Sequence, residues 1–125
     1  MTLKINNGRD GWRFVASLVE PGDFDESTTH EVEVRLKKLP AQKWRDMGSD
    51  EKRLQVDVIR ESLEDVRIHN ENGGFVDPDA AKEFLLGEQW AVRCLFQYQS
   101  GLQNGLTSGE VKQVLLGNSR PAATT

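Results

Sequence analysis

Apolar side chains recur at every second position in two stretches of the first third of the chain. Between residues 12 and 19, Trp12, Phe14, Ala16 and Leu18 fall on one face, and Val15 and Val19 fall on the other. That is a strand with apolar groups on much of both sides. Residues 31–39 alternate more cleanly, with Val32, Val34 and Leu36 opposed by Glu31, Glu33, Arg35 and Lys37. This is the signature of a half-buried antiparallel strand. The connection over residues 20–29 contains Pro21-Gly22 and the acids Glu20, Asp23, Asp25 and Glu26, which predicts an exposed loop. Leu3 and Ile5 also alternate ahead of a turn at Asn6-Asn7-Gly8 and suggest a short additional strand.

Pro40 ends the second strand, and the period then becomes helical. Residues 41–47 predict a short helical turn before Gly48. Ser49-Asp50 supplies an N-cap for a helix over about residues 50–64, with Asp50 and Glu51 in the first turn, where the dipole favours acids. At about 100° per residue, Leu54, Val56, Val58, Ile59 and Leu63 share one side of it, and Arg53, Asp57, Arg60, Glu61 and Glu64 the other. Val66 and Ile68, the turn Asn72-Gly73-Gly74, and Phe75-Val76 predict a small hairpin.

Asp77-Pro78 starts the next helix, with Asp as N-cap and Pro at the first helical position. Its buried face reads as Ala80, Ala81, Phe84 and Leu85, and Gly87 marks its end. Another helix spans about residues 88–103, before Asn104-Gly105. Thr107-Ser108-Gly109-Glu110 forms a capping box for the last one. There Val111, Val114 and Leu115 face inward and Gly117-Asn118 closes the helix. Residues 119–125 carry nothing to pack and predict a flexible C-terminal tail. The elements sum to one α+β domain over residues 1–118, an N-terminal antiparallel β layer packed against three or four helices.

Composition narrows the function classes. The 125 residues are 37% apolar and 29% charged, with a net charge of -4, so no global positive field attracts nucleic acid or anionic lipid. The single cysteine, Cys94, excludes an internal disulfide and any multi-cysteine zinc site. No apolar run reaches the roughly 18 residues of a membrane span, and the N-terminus lacks a signal-peptide core. The expectation is a soluble intracellular protein that binds neither nucleic acid nor membrane.

The catalytic inventory is thin. His30 and His69 fall in different elements without a carboxylate or cysteine at ligand spacing, so they read as solvated histidines rather than a metal pair. Cys94 lies among Ala91, Leu95 and Tyr98 and reads as a small hydrophobe. Glu61, Glu64 and Asp65 fit a charged outer face better than paired catalytic carboxylates. Arg35, Lys37, Lys38, Lys43 and Arg45 form a basic stretch, but only Trp44 is interleaved for base stacking. The chain therefore reads as a non-enzyme with no catalytic residue, metal or cofactor.

Helix 88–103 carries the most information. Trp90, Ala91, Cys94, Leu95, Tyr98 and Leu102 cover roughly 140° of its circumference, and Val92 and Phe96 extend the arc to about 240°. A surface helix needs an apolar stripe of only about 100°. Either this helix is central and touched on several sides, or Trp90, Val92 and Phe96 dock against another chain.

From Glu31 onward the order of features resembles the tail assembly chaperones of long-tailed bacteriophages. Val32-Glu33-Val34-Arg35-Leu36-Lys37-Lys38-Leu39-Pro40 is similar to that family's strand leading into its first helix. The helix at 50–64 follows, then Val66-Arg67-Ile68-His69-Asn70-Glu71-Asn72-Gly73-Gly74, which resembles its acid- and glycine-bearing turn. Val76-Asp77-Pro78-Asp79-Ala80-Ala81-Lys82-Glu83-Phe84-Leu85-Leu86 is similar to the short helix after that turn, and residues 90–102 to its long apolar helix. The segment at 107–116 and the first 30 residues depart from the pattern.

The resemblance implies a chaperone in the host cytoplasm that binds and solubilises the tape measure protein, assists polymerisation of the tail tube protein, and self-associates. Trp90, Val92 and Phe96 are the residues expected at the partner contact. The alternative expectation is a structural tail or head–tail component of a phage or prophage particle.

Overall fold

A computed structural model describes residues 10–24, 26–49, 54–68 and 73–117. The expected strand at Leu3 and Ile5, the cap residue Asp50, His69, Asn72 and the tail over 119–125 lie outside the described residues. Among those described, the chain forms three strands and five helices in an α+β fold. β1 (Gly11–Pro21) and β2 (Ser27–Lys37) make a long antiparallel hairpin, with Gly11 opposite Lys37 and Pro21 opposite Ser27. Its turn is closed by Gly22 N–H donating to the Glu26 carbonyl at 2.8 Å. The loop expected over 20–29 is therefore shorter, because residues 27–30 belong to the strand. Both faces are polar there and show no alternation, but the ladder pairs them all the same.

β3 (Leu63–Arg67) adds to the other side of β2, with Val34 opposite Val66, and a bulge falls between Arg35 and Leu36. This corrects the helix expected over 50–64. α2 (Gln55–Ser62) stops one residue before Leu63, whose N–H still bonds to the Ile59 carbonyl while its backbone is already extended. Leu63 and Val66 are three residues apart, which fits a helix and not a strand of period two, and the register shift opposite Arg35 and Leu36 lets both be buried. Pairing with β2 overrides that spacing, as tertiary context commonly overrides local propensity.

The helices lie against the sheet or against the helix at its centre, α4 (Gln89–Gln103), which α1 (Ala41–Ser49) meets through the rings of Trp44 and Phe96. α4 packs on β1 and touches α2, α3 (Pro78–Leu86) and α5 (Ser108–Leu116), and α3 packs on β3. Ala16, Leu18, Val34 and Leu36 from the sheet meet Leu85, Leu95, Tyr98 and Val111 from the helices, all buried. Each large apolar side chain so buried contributes about 1.5–3 kcal/mol. A second cluster joins Leu39, Met47 and Val58, with Trp44 and Phe96 against it.

The reverse face of the sheet carries charge instead. Arg13 bonds Glu33 at 3.0 Å and Asp65 at 3.1 Å, and Arg35 reaches Asp10 at 2.7 Å and Glu64 at 3.3 Å. The two carboxylates hold the Arg13 guanidinium above its ordinary pKa, the hydrogen bond to Glu33 being the larger cause. With one face charged and the other apolar, the sheet takes helices on a single side.

Two of the three sequence-read N-caps are present, whereas α2 starts at Gln55 with Leu54 at its N-cap and not at the Ser49-Asp50 cap expected for a helix from 50. Asp77 accepts from the Ala80 N–H at 3.2 Å, and Thr107 and Glu110 exchange backbone bonds at 3.1 and 3.0 Å. Gly117 closes α5 in the left-handed conformation. Other expectations need correction. α1 runs through Gly48, making a fifth helix. α3 buries Ala81, Leu85 and Leu86, leaving Ala80 and Phe84 exposed, and Val114 and Leu54 are likewise exposed. At 66–76 the expected hairpin is not among the described strands: β3 pairs with β2, and Val76 N–H bonds to the Ile68 carbonyl at 2.8 Å.

Candidate functional site

α4 organises everything around it, so its polar side chains come first. β1 is an edge strand, and from Ser17 to Val19 its outward N–H groups are met by α4 side chains. Ser17 N–H donates to the Tyr98 hydroxyl at 2.9 Å, and Val19 N–H donates to the Cys94 sulfur at 3.4 Å. Exposed strand edges invite foreign pairing; here two side chains stand in for a further strand. Burial pushes the Cys94 thiol above its ordinary pKa, and burial does the same to the Tyr98 phenol. Both groups stay protonated at neutral pH, as an inert thiol and a bonding hydroxyl require.

One turn further on, two glutamines tie α4 to the β2–α1 connection. Gln103 accepts from the Leu39 N–H at 2.7 Å and donates to the Leu39 carbonyl at 3.1 Å. Gln99 donates to the Lys37 carbonyl at 3.2 Å and to Gln103 at 3.0 Å, while its own buried carbonyl oxygen has no partner among the described residues. Gly101 lets α5 approach, since a Cβ there would sit 2.4 Å from the Val111 side chain. Gln99, Gln103 and Gly101 are all absent from the sequence reading. Gln99 was detectable, for it interrupts the apolar stripe one turn after Leu95.

The three residues expected at a partner contact occupy different situations. Val92 is 5% exposed and sits in the main core. Phe96 is half-buried between the two clusters, its ring 5.9 Å from that of Trp44. Trp90 is half-buried at the start of α4, its ring 5.6 Å from His30. The structure therefore separates them rather than joining them in one patch.

Each instead borders a different cleft. Val92 lies at the base of a cleft of about 450 Å³ with Leu54, Val56 and Leu86. Phe96 lines a neighbouring one of about 390 Å³ with Trp44, Met47 and Val58. Gln55 borders both, so the two run together along α2. Trp90 lines a third cleft of about 470 Å³, under the far end of the hairpin.

The other candidate groups are engaged separately. His30 bonds Glu20 at 2.8 Å in the open. Glu61 pairs with Lys43, Glu64 with Arg35, and Asp65 with Arg13. The three carboxylates thus serve three different cations, and Arg35 and Lys43 of the basic stretch are used within the chain. Among the described residues no group of three or more histidine, cysteine or acidic side chains is placed to hold a metal ion, and no helix is long and apolar enough to cross a membrane. The arrangement offers concave, partly apolar surface on two sides of α4. Comparison with family models, with curated proteins and with solved structures gives no match to this chain.

Proposed function

We propose that this chain is a tail assembly chaperone of a long-tailed bacteriophage, which holds the tape measure protein in soluble form and assists polymerisation of the tail tube protein. The observation that carries the reading is the order of features from Glu31 to Gly105 described above. The clefts beside α4 support it, because a chaperone for a long, partly apolar helical client needs concave apolar contacts on a soluble, acidic body. The clefts also spread the contact: Phe96 with Trp44 on one side and Trp90 on the other, with Val92 as the packed floor between.

The test is co-expression with the largest coiled-coil-like protein encoded nearby, followed by co-purification and light scattering. The expected result is a partner that is soluble only with this chain, and several copies of the chain travelling with it. A partner equally insoluble in its presence removes the chaperone reading. Finding the chain by mass spectrometry in finished particles instead makes it a structural tail or head–tail component.

A further inference from the structure

The third cleft lies under the turn end of the hairpin, where Glu20 and the exposed His30 overhang Phe84 and Leu85 of α3. Leu18, the cross-strand partner of His30, is fully buried beneath them, Leu85 closes the floor, and Trp90 and Phe84 make the walls. Phe84 is 56% exposed, although it projects from a helix that buries its neighbour Leu85.

The charge of this cleft is one-sided. Glu20, Glu31 and Glu88 line it, and no lysine or arginine does. Glu31 is approached by Lys112 at 3.6 Å and accepts from Ser17, and Glu20 is engaged by His30. Glu88, beside Trp90, makes no ion pair among the described residues. The clefts along α2 differ, for the residues lining them include no carboxylate. A carboxylate next to an indole face suits an ammonium or guanidinium group, and the apolar floor suits an aliphatic side chain.

We infer that the overhang cleft receives a basic amphipathic helix of a partner protein, an aliphatic side chain entering between Phe84 and Trp90 while a flanking lysine or arginine pairs with Glu88. Charge complementarity selects this occupant: carboxylates line the cleft and no lysine or arginine does, so a cationic segment complements it. The inference rests on the partner-binding reading above and adds the chemistry of the segment that is bound.

The test uses the full chain and two synthetic helical peptides with leucines at helical spacing, one flanked by lysines and the other by glutamates. Calorimetry is expected to give binding of the lysine peptide and binding about tenfold weaker for the glutamate peptide. In nuclear magnetic resonance spectra the Trp90 indole and His30 signals should shift. Glu88→Lys should reverse the preference, and Phe84→Ser, at an exposed position, should weaken the lysine peptide with the fold intact by circular dichroism. Equal binding of the two peptides overturns the inference, as do shifts confined to Phe96 and Trp44. A dimer of the free chain that Glu88→Lys dissociates overturns it in favour of a second copy. Peptide discrimination together with failed co-expression would remove the tape-measure reading and leave the cleft standing.

Discussion

The two ends of the β1–β2 hairpin differ in sequence pattern and in fate. At the Gly11–Lys37 end the inner positions Ala16, Val34 and Leu36 lie under α4 and are buried. Phe14 stacks 4.9 Å from Tyr98, and the two α4 glutamines hold the exit of β2. At the turn end the same face carries the buried Leu18 and then His30 and Glu20, which border a cleft with Trp90 and α3. Alternation marks which residues share a face. What packs over each stretch decides whether that face becomes core or cleft.

Substitutions at the two ends should separate core from cleft. Leu95→Ala, at a fully buried position of α4, should cost about 2–5 kcal/mol in chemical denaturation, because the cavity cannot collapse within a sheet-backed layer. A smaller loss would mean that the helix layer is less tightly packed than its burial indicates. Tyr98→Phe should cost about 1–3 kcal/mol by stranding the buried Ser17 N–H, with no loss of ring packing. An unchanged midpoint would show that water reaches that edge of β1.

Alkaline pH tests the same end. Burial holds the Cys94 and Tyr98 protons more tightly than in the unfolded chain, so both folded-state pKa values lie above the ordinary 9.0 and 10.0. Their contribution is fully present below those values and is lost as pH rises through the raised ones. Thermal midpoints should therefore fall above about pH 9, and a thiol reagent should label Cys94 slowly until the protein unfolds. Rapid labelling of the native protein would contradict the burial of that edge. The smallest effect belongs to the overhang: Phe84→Ser should change stability by no more than about 0.5 kcal/mol, since the ring is mostly in solvent. A loss comparable to Leu95→Ala would make the cleft part of the core.

Much of this fold is legible in the sequence, and for local reasons. Both long strands, the Asp77-Pro78 start, the Thr107–Glu110 box and the extent of α4 are set by side-chain period and by capping bonds within four residues of their donors. At Leu63 and Val66 the three-residue spacing reads as helix, and only pairing with β2 across a register shift makes them strand. The exposure of Phe84 could not be read either, because Phe84 and Leu85 are both apolar, and only the placement of α3 on β3 selects Leu85 for the core. The clamp made by Gln99 and Gln103 depends on meeting a backbone more than 60 positions away.

The excess apolar arc on α4 was visible from spacing, and its meaning was not. The sequence by itself determined that this helix would be central or docked, because burial tracks side-chain chemistry summed around a helix. Only the tertiary structure decided that Val92 is core, that Phe96 joins two clusters, and that Trp90 walls a cleft. The reason is physical: a periodicity fixes directions around an axis, whereas burial depends on where the neighbouring elements end.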